Sequence, residues 1–249
     1  MSDAHTTETY KGWTIEIHQD SDSGESPREW SNLGFMACWH RRMWLGDEPK
    51  EIQRYNPIEY MKHILWNNYC KEIEKSTLFR AWKIANHEDM HKDDLHFDNY
   101  IEYMSDEDVH EHFNNFHVVL PIFAYEHGGI TIRSGSFSDP WDSGQLGFIY
   151  VSKADALKEW KQKNWTKAFE KKIIGILDGE IETYDQYLTG DIHGYMIYRP
   201  EDEELGDSVD SCWGFYGRDT AMEEAESMVD WNIENDKKQE KLFNACLSL

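Results

Sequence analysis

Apolar and polar residues alternate near the start of the chain with the period of a β-strand. Residues 13–18 alternate in this way, and residues 34–40 form a second apolar run. A polar loop over residues 20–29 separates the two runs. The pattern predicts two early strands joined by a loop.

A helical period replaces this alternation after Asn56. Asn56 can cap a helix, Pro57 suits the first helical position, and Glu59 can reach back to the cap. Apolar residues then recur at helical spacing at Ile58, Met61, Leu65, Tyr69 and Ile73. The same period predicts a longest helical stretch that starts at Ser152 and ends at Gly190, and a last helix capped by Asp219.

Further strand-like segments lie between these helices. They cover residues 116–125, 130–133, 146–151, 195–198 and 211–216. We therefore expect an α+β fold, with a mixed or antiparallel sheet flanked by helices, one long central helix and a C-terminal helix. We expect an acidic α+β region over residues 1–115 and an α+β domain over 116–249, with one continuous domain as the alternative.

The charge balance narrows the classes of partner. The 249 residues include 25 Lys and Arg but 48 Asp and Glu, a formal net charge of −23. This charge disfavours direct binding to nucleic acid or to anionic membranes, and it favours a partner with a basic surface. The alternative is that the acidity only increases solubility.

Cysteine spacing and hydropathy bear on the compartment. Cys38, Cys70, Cys212 and Cys246 form no C-x-x-C pair. The first residues do not resemble a signal peptide, and no apolar run is long enough for a membrane span. We therefore expect free thiols in a reducing cytoplasm and no cofactor.

Residues 86–112 are rich in both histidine and acidic residues. Within them, residues 87–91 read H-E-D-M-H, which fits the zinc-binding pattern H-E-x-x-H when it lies on a helix. His87 and His91 would be ligands, Glu88 would activate water, and His96 could be a third ligand. The polar residues that follow favour a solvated acidic face instead. Asp108, His110, Glu111 and His112 form a second candidate site for a divalent ion.

Three further segments carry distinctive motifs. They are residues 127–147 (HGGITIRSGSFSDPWDSGQLG), 184–190 (YDQYLTG) and 210–217 (DSCWGFYG). Their order and spacing resemble a family of proteins encoded by phages and mobile elements, generally without an assigned activity. The resemblance covers roughly residues 117–220 and implies a phage origin. Relatives often have cysteine where this chain has Asp139, so no thiol chemistry is available at that position.

The first of these motifs has two interpretations. In the functional one, Asp139 and Asp142 are paired carboxylates beside His127. In the structural one, which we favour, Asp142 and Ser143 form side-chain turns and Trp141 fills the core. Gly144 and Gly147 would then adopt backbone angles that other residues avoid.

The last motif contains a candidate nucleophile. Cys212 could be activated by His193 across a hairpin, although a buried strand cysteine is the favoured interpretation. Trp213, Gly214 and Gly190 are expected to be structural residues.

The predicted long helix carries the one basic face. Its seven lysines could contact nucleic acid with Trp160 and Trp165, could hold acidic loops of a neighbouring subunit, or could simply be solvated, which we favour. These lysines are Lys153, Lys158, Lys161, Lys163, Lys167, Lys171 and Lys172.

Together these observations favour a phage-encoded acidic inhibitor. It would bind and block a host antiviral defence complex, of the restriction, CRISPR or Gabija-type nuclease class, by protein–protein contact in the host cytoplasm. DNA mimicry and a Trp-rich shape match are two versions of this hypothesis, and homo-oligomerisation is left open. The alternatives are a metal-dependent hydrolase at His87, Glu88 and His91, or an accessory factor for host takeover. The expected partner-binding residues are Glu88, Asp89, Asp93, Asp94, Asp106, Glu107, Asp108, Glu201, Asp202, Glu203 and Glu204.

Overall fold

The computed structural model describes residues 5–22, 24–87, 90–91, 95–200 and 208–247. Within these residues the chain forms eight α-helices and two four-stranded antiparallel sheets. The predicted α+β class, with antiparallel sheets, helices and a C-terminal helix, is confirmed.

The strands form two separate sheets. The first consists, in spatial order, of β1 (His5–Tyr10), β2 (Trp13–Gln19), β7 (Ile192–Tyr198) and β8 (Asp210–Tyr216). The second consists, in spatial order, of β3 (Phe35–Cys38), β6 (Ser143–Ser152), β4 (His117–Glu126) and β5 (Ile130–Arg133).

The helices surround these sheets in chain order. They are α1 (Pro49–Ile52), α2 (Pro57–Ile73), α3 (Thr77–Ala85), α4 (Phe97–Tyr103), α5 (Asp106–Phe116), α6 (Lys153–Glu159), α7 (Lys167–Thr189) and α8 (Arg218–Leu247). The start predicted for α2 is confirmed as a capping box. The Glu59 amide donates to Asn56 Oδ1 at 2.9 Å, and the Asn56 amide donates to Glu59 Oε2 at 3.1 Å.

The helix predicted between Ser152 and Gly190 is interrupted. Ser152 caps α6 by accepting a hydrogen bond from the Asp155 amide at 2.9 Å. Lys161, with φ at 51°, then leaves the helical conformation, so α6 and α7 are separate helices. The longest helix is therefore α8. Gly190 does end α7 as predicted, since its φ of 72° allows the Asp191 amide to donate to the Gln186 carbonyl at 2.8 Å.

The chain folds into two compact units that alternate along the sequence. The first comprises Met1–Trp30, Gly129–Thr131 and Glu182–Leu249, and the second comprises Ser31–Gly128 and Ile132–Ile181. The sequence-based division between residues 115 and 116 falls inside the second unit. Long-range strand pairing explains the difference, because β2 pairs with β7 rather than with a neighbouring strand.

The core of the first unit lies between its sheet and α8. Residues of β2 alternate between buried and partly buried positions, as strand periodicity predicts. The predicted apolar face of α8 packs against this sheet face. The buried residues of this core are Trp13, Ile15, Ile17, Tyr195, Ile197, Ala221, Ala225 and Val229.

The core of the second unit is rich in aromatic residues. Phe97, Tyr100 and Phe113 bring α4 and α5 into the same cluster as Phe148 of β6. The expectation that residues 86–112 form mostly solvated turns is therefore wrong for these helices. Gly147 is also required by packing, since a Cβ there would lie 2.0 Å from the Ala37 carbonyl oxygen of β3.

Candidate functional site

The predicted zinc motif does not lie on a helix where the structure describes it. The preceding helix α3 ends at Ala85, and neither His87 nor His91 belongs to a helix. His96 precedes α4 as its N-cap residue without a side-chain capping bond. In the described ranges, no group of three or more His, Cys, Asp or Glu residues could hold a metal ion. The remaining residues of this stretch that lie outside the described ranges are Glu88, Asp89, Asp93 and Asp94.

The second predicted metal site is separated by burial. His112 is buried and its Nε2 lies 2.9 Å from the Tyr100 hydroxyl, whereas His110 is exposed. Burial lowers the pKa of His112, while Asp108 and Glu111 act in the opposite direction. His112 therefore links α4 to α5 as a neutral core histidine, and the pair His110 and His112 forms no common site.

The Asp139 motif forms a turn held by side chains. Asp139 Oδ1 accepts hydrogen bonds from the amides of Trp141 at 2.8 Å and Asp142 at 3.3 Å, and Ser143 Oγ donates to the Asp139 carbonyl. The turn interpretation is confirmed, with Asp139 as the main acceptor. Two details were wrong: Trp141 is 92% exposed rather than in the core, and Gly144 does not have a positive φ.

A cleft of about 700 Å³ lies beside this turn in the second unit. His127 Nδ1 and Asp142 Oδ2 are 3.2 Å apart and both side chains are solvent-accessible. In the cleft wall, His40 Nε2 lies 2.9 Å from one oxygen of Glu126, and Arg42 lies 2.9 Å from the other. The hydrogen bond from His40 and the nearby Arg42 lower the pKa of Glu126. The cleft thus presents internally paired charges and an exposed indole, not a free acid–base pair.

The glycine that follows Cys212 and Trp213 shapes the edge of the first sheet. Trp213 packs over Gly194 of β7, where a Cβ would lie 2.2 Å from the indole ring, and Gly214 has φ at 87°. Cys212 is exposed, so the prediction of a buried cysteine is wrong. His193 does not activate it, because its Nε2 lies 2.7 Å from Asp191 Oδ1 and Cys212 is opposite Tyr195 in the strand register.

The predicted basic face is divided between α6, the following loop and α7. Lys153 donates to the Asn114 carbonyl at 2.8 Å and to the Asn115 carbonyl at 3.1 Å. The Lys172 ammonium lies 4.8 Å from the centre of the Trp160 ring. At least two of these lysines therefore have structural contacts.

A larger cavity, of about 920 Å³, lies in the second unit and was missed by sequence reasoning. His117 Nδ1 lies 2.9 Å from the Phe113 carbonyl, and its Nε2 lies 3.1 Å from the Tyr69 hydroxyl. Since the carbonyl can only accept, Nδ1 donates to it and Tyr69 donates to Nε2. Burial lowers the pKa of His117 to about 4, so this histidine is neutral near pH 7. The only sequence signal was a histidine at the start of an apolar strand.

Five exposed carboxylates on α4 and α5 form the α4–α5 acidic surface. These residues are Asp98, Glu102, Asp106, Glu107 and Glu111. None of the five has an ion-pair partner within the described part of the chain, and no Lys or Arg occurs in the sequence between Lys92 and Arg133. Lys62 approaches only the backbone carbonyl of Glu102, at 2.9 Å.

Local structure places these carboxylates outward. Ser105 caps α5 by accepting from the Asp108 amide at 3.2 Å, and three acidic residues in the first turn suit the helix dipole. Asp108 is only partly exposed, because it faces the buried side near His112. The pairs Asp98–Glu102 and Glu107–Glu111 place like charges four residues apart, which costs about 0.2–0.5 kcal/mol each. The predicted residues Glu201, Asp202, Glu203 and Glu204 lie outside the described ranges.

Comparisons with family models, with curated proteins and with solved structures found no match to this chain. No helix in the described part of the chain is both long and apolar enough to cross a membrane.

Proposed function

We propose that this protein is a phage-encoded inhibitor that binds a host antiviral defence complex through protein–protein contact. The observation that carries the proposal is the α4–α5 acidic surface, whose five carboxylates have no cationic partner in the described chain. Such a surface is complementary to the basic groove of a restriction, CRISPR or nuclease–helicase complex. The site of action would be the host cytoplasm.

The energetic cost of this surface supports a role in binding. Two like-charge pairs at helical spacing destabilise α4 and α5 slightly, and no described lysine or arginine offsets them. A cationic partner would relieve that repulsion and steer the encounter between the two proteins. Interactions of this type weaken with salt, because the Debye length falls from about 10 Å at 0.1 M to about 3 Å at 1 M.

The hydrolase alternative has less support. It requires a metal-binding cluster, and the described residues contain none, while His112 is committed to Tyr100. Binding therefore accounts better for the arrangement of charged residues than metal chemistry does.

The test uses host strains that each carry one defence system. The full chain is expressed in each strain, and phage plaquing efficiency is measured together with mass spectrometry of proteins that co-purify with the tagged chain. We expect plaquing to be restored in one strain and a subunit of that strain's defence complex to co-purify stoichiometrically. Unchanged plaquing across restriction, CRISPR and nuclease–helicase strains would contradict the proposal.

A further inference from the structure

Helix α8 contains a packed segment followed by an unpacked one. Ala221, Ala225 and Val229 are fully buried against the first sheet, whereas every residue from 237 to 244 is exposed. A helix of 30 residues is about 45 Å long, and a third of this helix has no packing contact that buries it. Helices of roughly this length are marginal in water without tertiary packing. The C-terminal part of α8 therefore calls for a packing partner.

The exposed side of α8 carries a regular stripe. Its members recur at alternating intervals of three and four residues, the spacing of a helix–helix seam. They are Thr220, Glu224, Ser227, Trp231, Asn235, Lys238 and Leu242. Trp231 is 59% exposed and Leu242 is 68% exposed, and the adjacent Phe243 is 65% exposed. Large apolar side chains at this spacing indicate an interface.

The stripe is symmetric about Trp231. Glu224 lies seven residues before Trp231 and Lys238 lies seven residues after it, while Thr220 and Leu242 lie eleven residues away on either side. Two copies of α8 placed antiparallel, with a two-fold axis at Trp231, therefore bring Glu224 of each copy against Lys238 of the other. An isologous contact of this kind needs only one patch.

The neighbouring charges favour the same orientation. Asp219, Glu223, Glu226, Asp230 and Glu234 form an acidic row along the first part of α8. Lys237 and Lys241 continue that row at helical spacing. An antiparallel partner places these lysines near the acidic row of the other copy. A parallel partner would place acidic row against acidic row, which is repulsive.

We propose that a second copy of this chain docks antiparallel on α8, with Trp231 at the two-fold axis. This inference goes beyond the proposed function and does not involve the α4–α5 acidic surface. The dimer seam consists of the Trp231 and Leu242 side chains with reciprocal contacts between Glu224 and Lys238.

Sedimentation equilibrium of the full chain over a range of concentrations tests the proposal. We expect a concentration-dependent dimer for the natural sequence and a dimer dissociation constant about tenfold higher, or more, for Trp231→Ala, since each substitution acts twice in a two-fold dimer. Trp44→Ala is the matched control, because Trp44 is also 59% exposed but lies outside α8. It should leave the dimer unchanged.

Charge reversal tests the orientation. Glu224→Lys and Lys238→Glu should each weaken the dimer, and the double variant should restore it, because the reciprocal contacts are re-formed with signs exchanged. Circular dichroism of each variant checks that the monomer remains folded. A monomeric natural chain, or a dimer that is insensitive to Trp231→Ala and to both charge reversals, would overturn the proposal.

Discussion

The α4–α5 acidic surface and helix α8 are both rich in carboxylates, but their charges are compensated differently. On α8, Asp230 lies 2.5 Å from Lys11 Nζ, Asp236 lies 2.6 Å from Arg199, and Glu234 lies 3.8 Å from Lys238. On α4 and α5, the five exposed carboxylates have no such partner among the described residues. The net charge of −23 is therefore unevenly distributed in its effect. Carboxylates that are paired within the chain are less available to a partner than unpaired ones.

The two regions also differ beneath their surfaces, and acid should separate them most strongly. The folded-state pKa of His117 is about 4, below the ordinary value of about 6.5. Between these values the unfolded chain binds a proton that the folded chain does not, so stability is full above pH 6.5 and falls as pH drops towards 4. The loss from this group reaches about 3 kcal/mol.

We therefore expect the second unit to lose hydrogen-exchange protection in α5 and β4 at a higher pH than α8 does. Lys153 and Asp155 influence His117 in opposite directions and do not change the sign. Exchange measured by mass spectrometry from pH 7 to pH 4.5 checks the order. His117→Gln removes the titrating group and should flatten this dependence. Earlier loss of protection in α8 would contradict the prediction.

Neutralising the α4–α5 acidic surface should give the next largest effect. We expect Asp98→Asn, Glu102→Gln, Asp106→Asn, Glu107→Gln and Glu111→Gln together to weaken binding to the defence complex by about 100-fold, at about 0.2–1 kcal/mol for each exposed ion pair. Titration calorimetry with the purified complex measures the change.

A charge-matched variant separates position from net charge. It neutralises five other exposed carboxylates by Asp22→Asn, Glu25→Gln, Glu29→Gln, Glu72→Gln and Glu74→Gln. It should bind within about twofold of the natural chain. Equal weakening by both variants would mean that net charge, not the α4–α5 acidic surface, determines binding.

The smallest effect is expected from unpairing a carboxylate on α8. Lys11→Met removes the cation beside Asp230 but leaves the core between β2 and α8 intact. Because exposed ion pairs contribute little, we expect the melting temperature to change by no more than about 2 °C. Differential scanning calorimetry checks this value. A large decrease would show that α8 depends on its ion pairs rather than on its apolar face.

Local patterns predicted the elements better than their environment. The capping box at Asn56, the alternation in β2 and the glycine at the end of α7 depend on neighbouring residues, and all three are confirmed. The exposure of Trp141 and Cys212 depends on what packs above the turn and the sheet edge, which no local pattern encodes. Large apolar side chains are usually buried, and this expectation failed at both positions.

The candidate site was only partly predictable for the same reason. Sequence composition located the acidic stretch, and exposure of Asp106 and Glu107 is confirmed. The partition of its histidines was not predictable, because burial of His112 depends on Tyr100 from another helix. The cavity beside His117 combines residues from α2, β4 and β6, which are far apart in the sequence.

The pairing of β2 with β7 has a consequence for synthesis on the ribosome. Ile17 pairs with Tyr195, so strand β2 emerges about 180 residues before its neighbour. At about 5–20 residues per second, the N-terminal hairpin waits about 10–35 s with one edge unpaired. All residues of the second unit emerge within that interval. The first unit is therefore the last to be completed, and a nascent chain truncated before residue 192 retains β1 and β2 as a two-stranded hairpin, which is marginally stable at best.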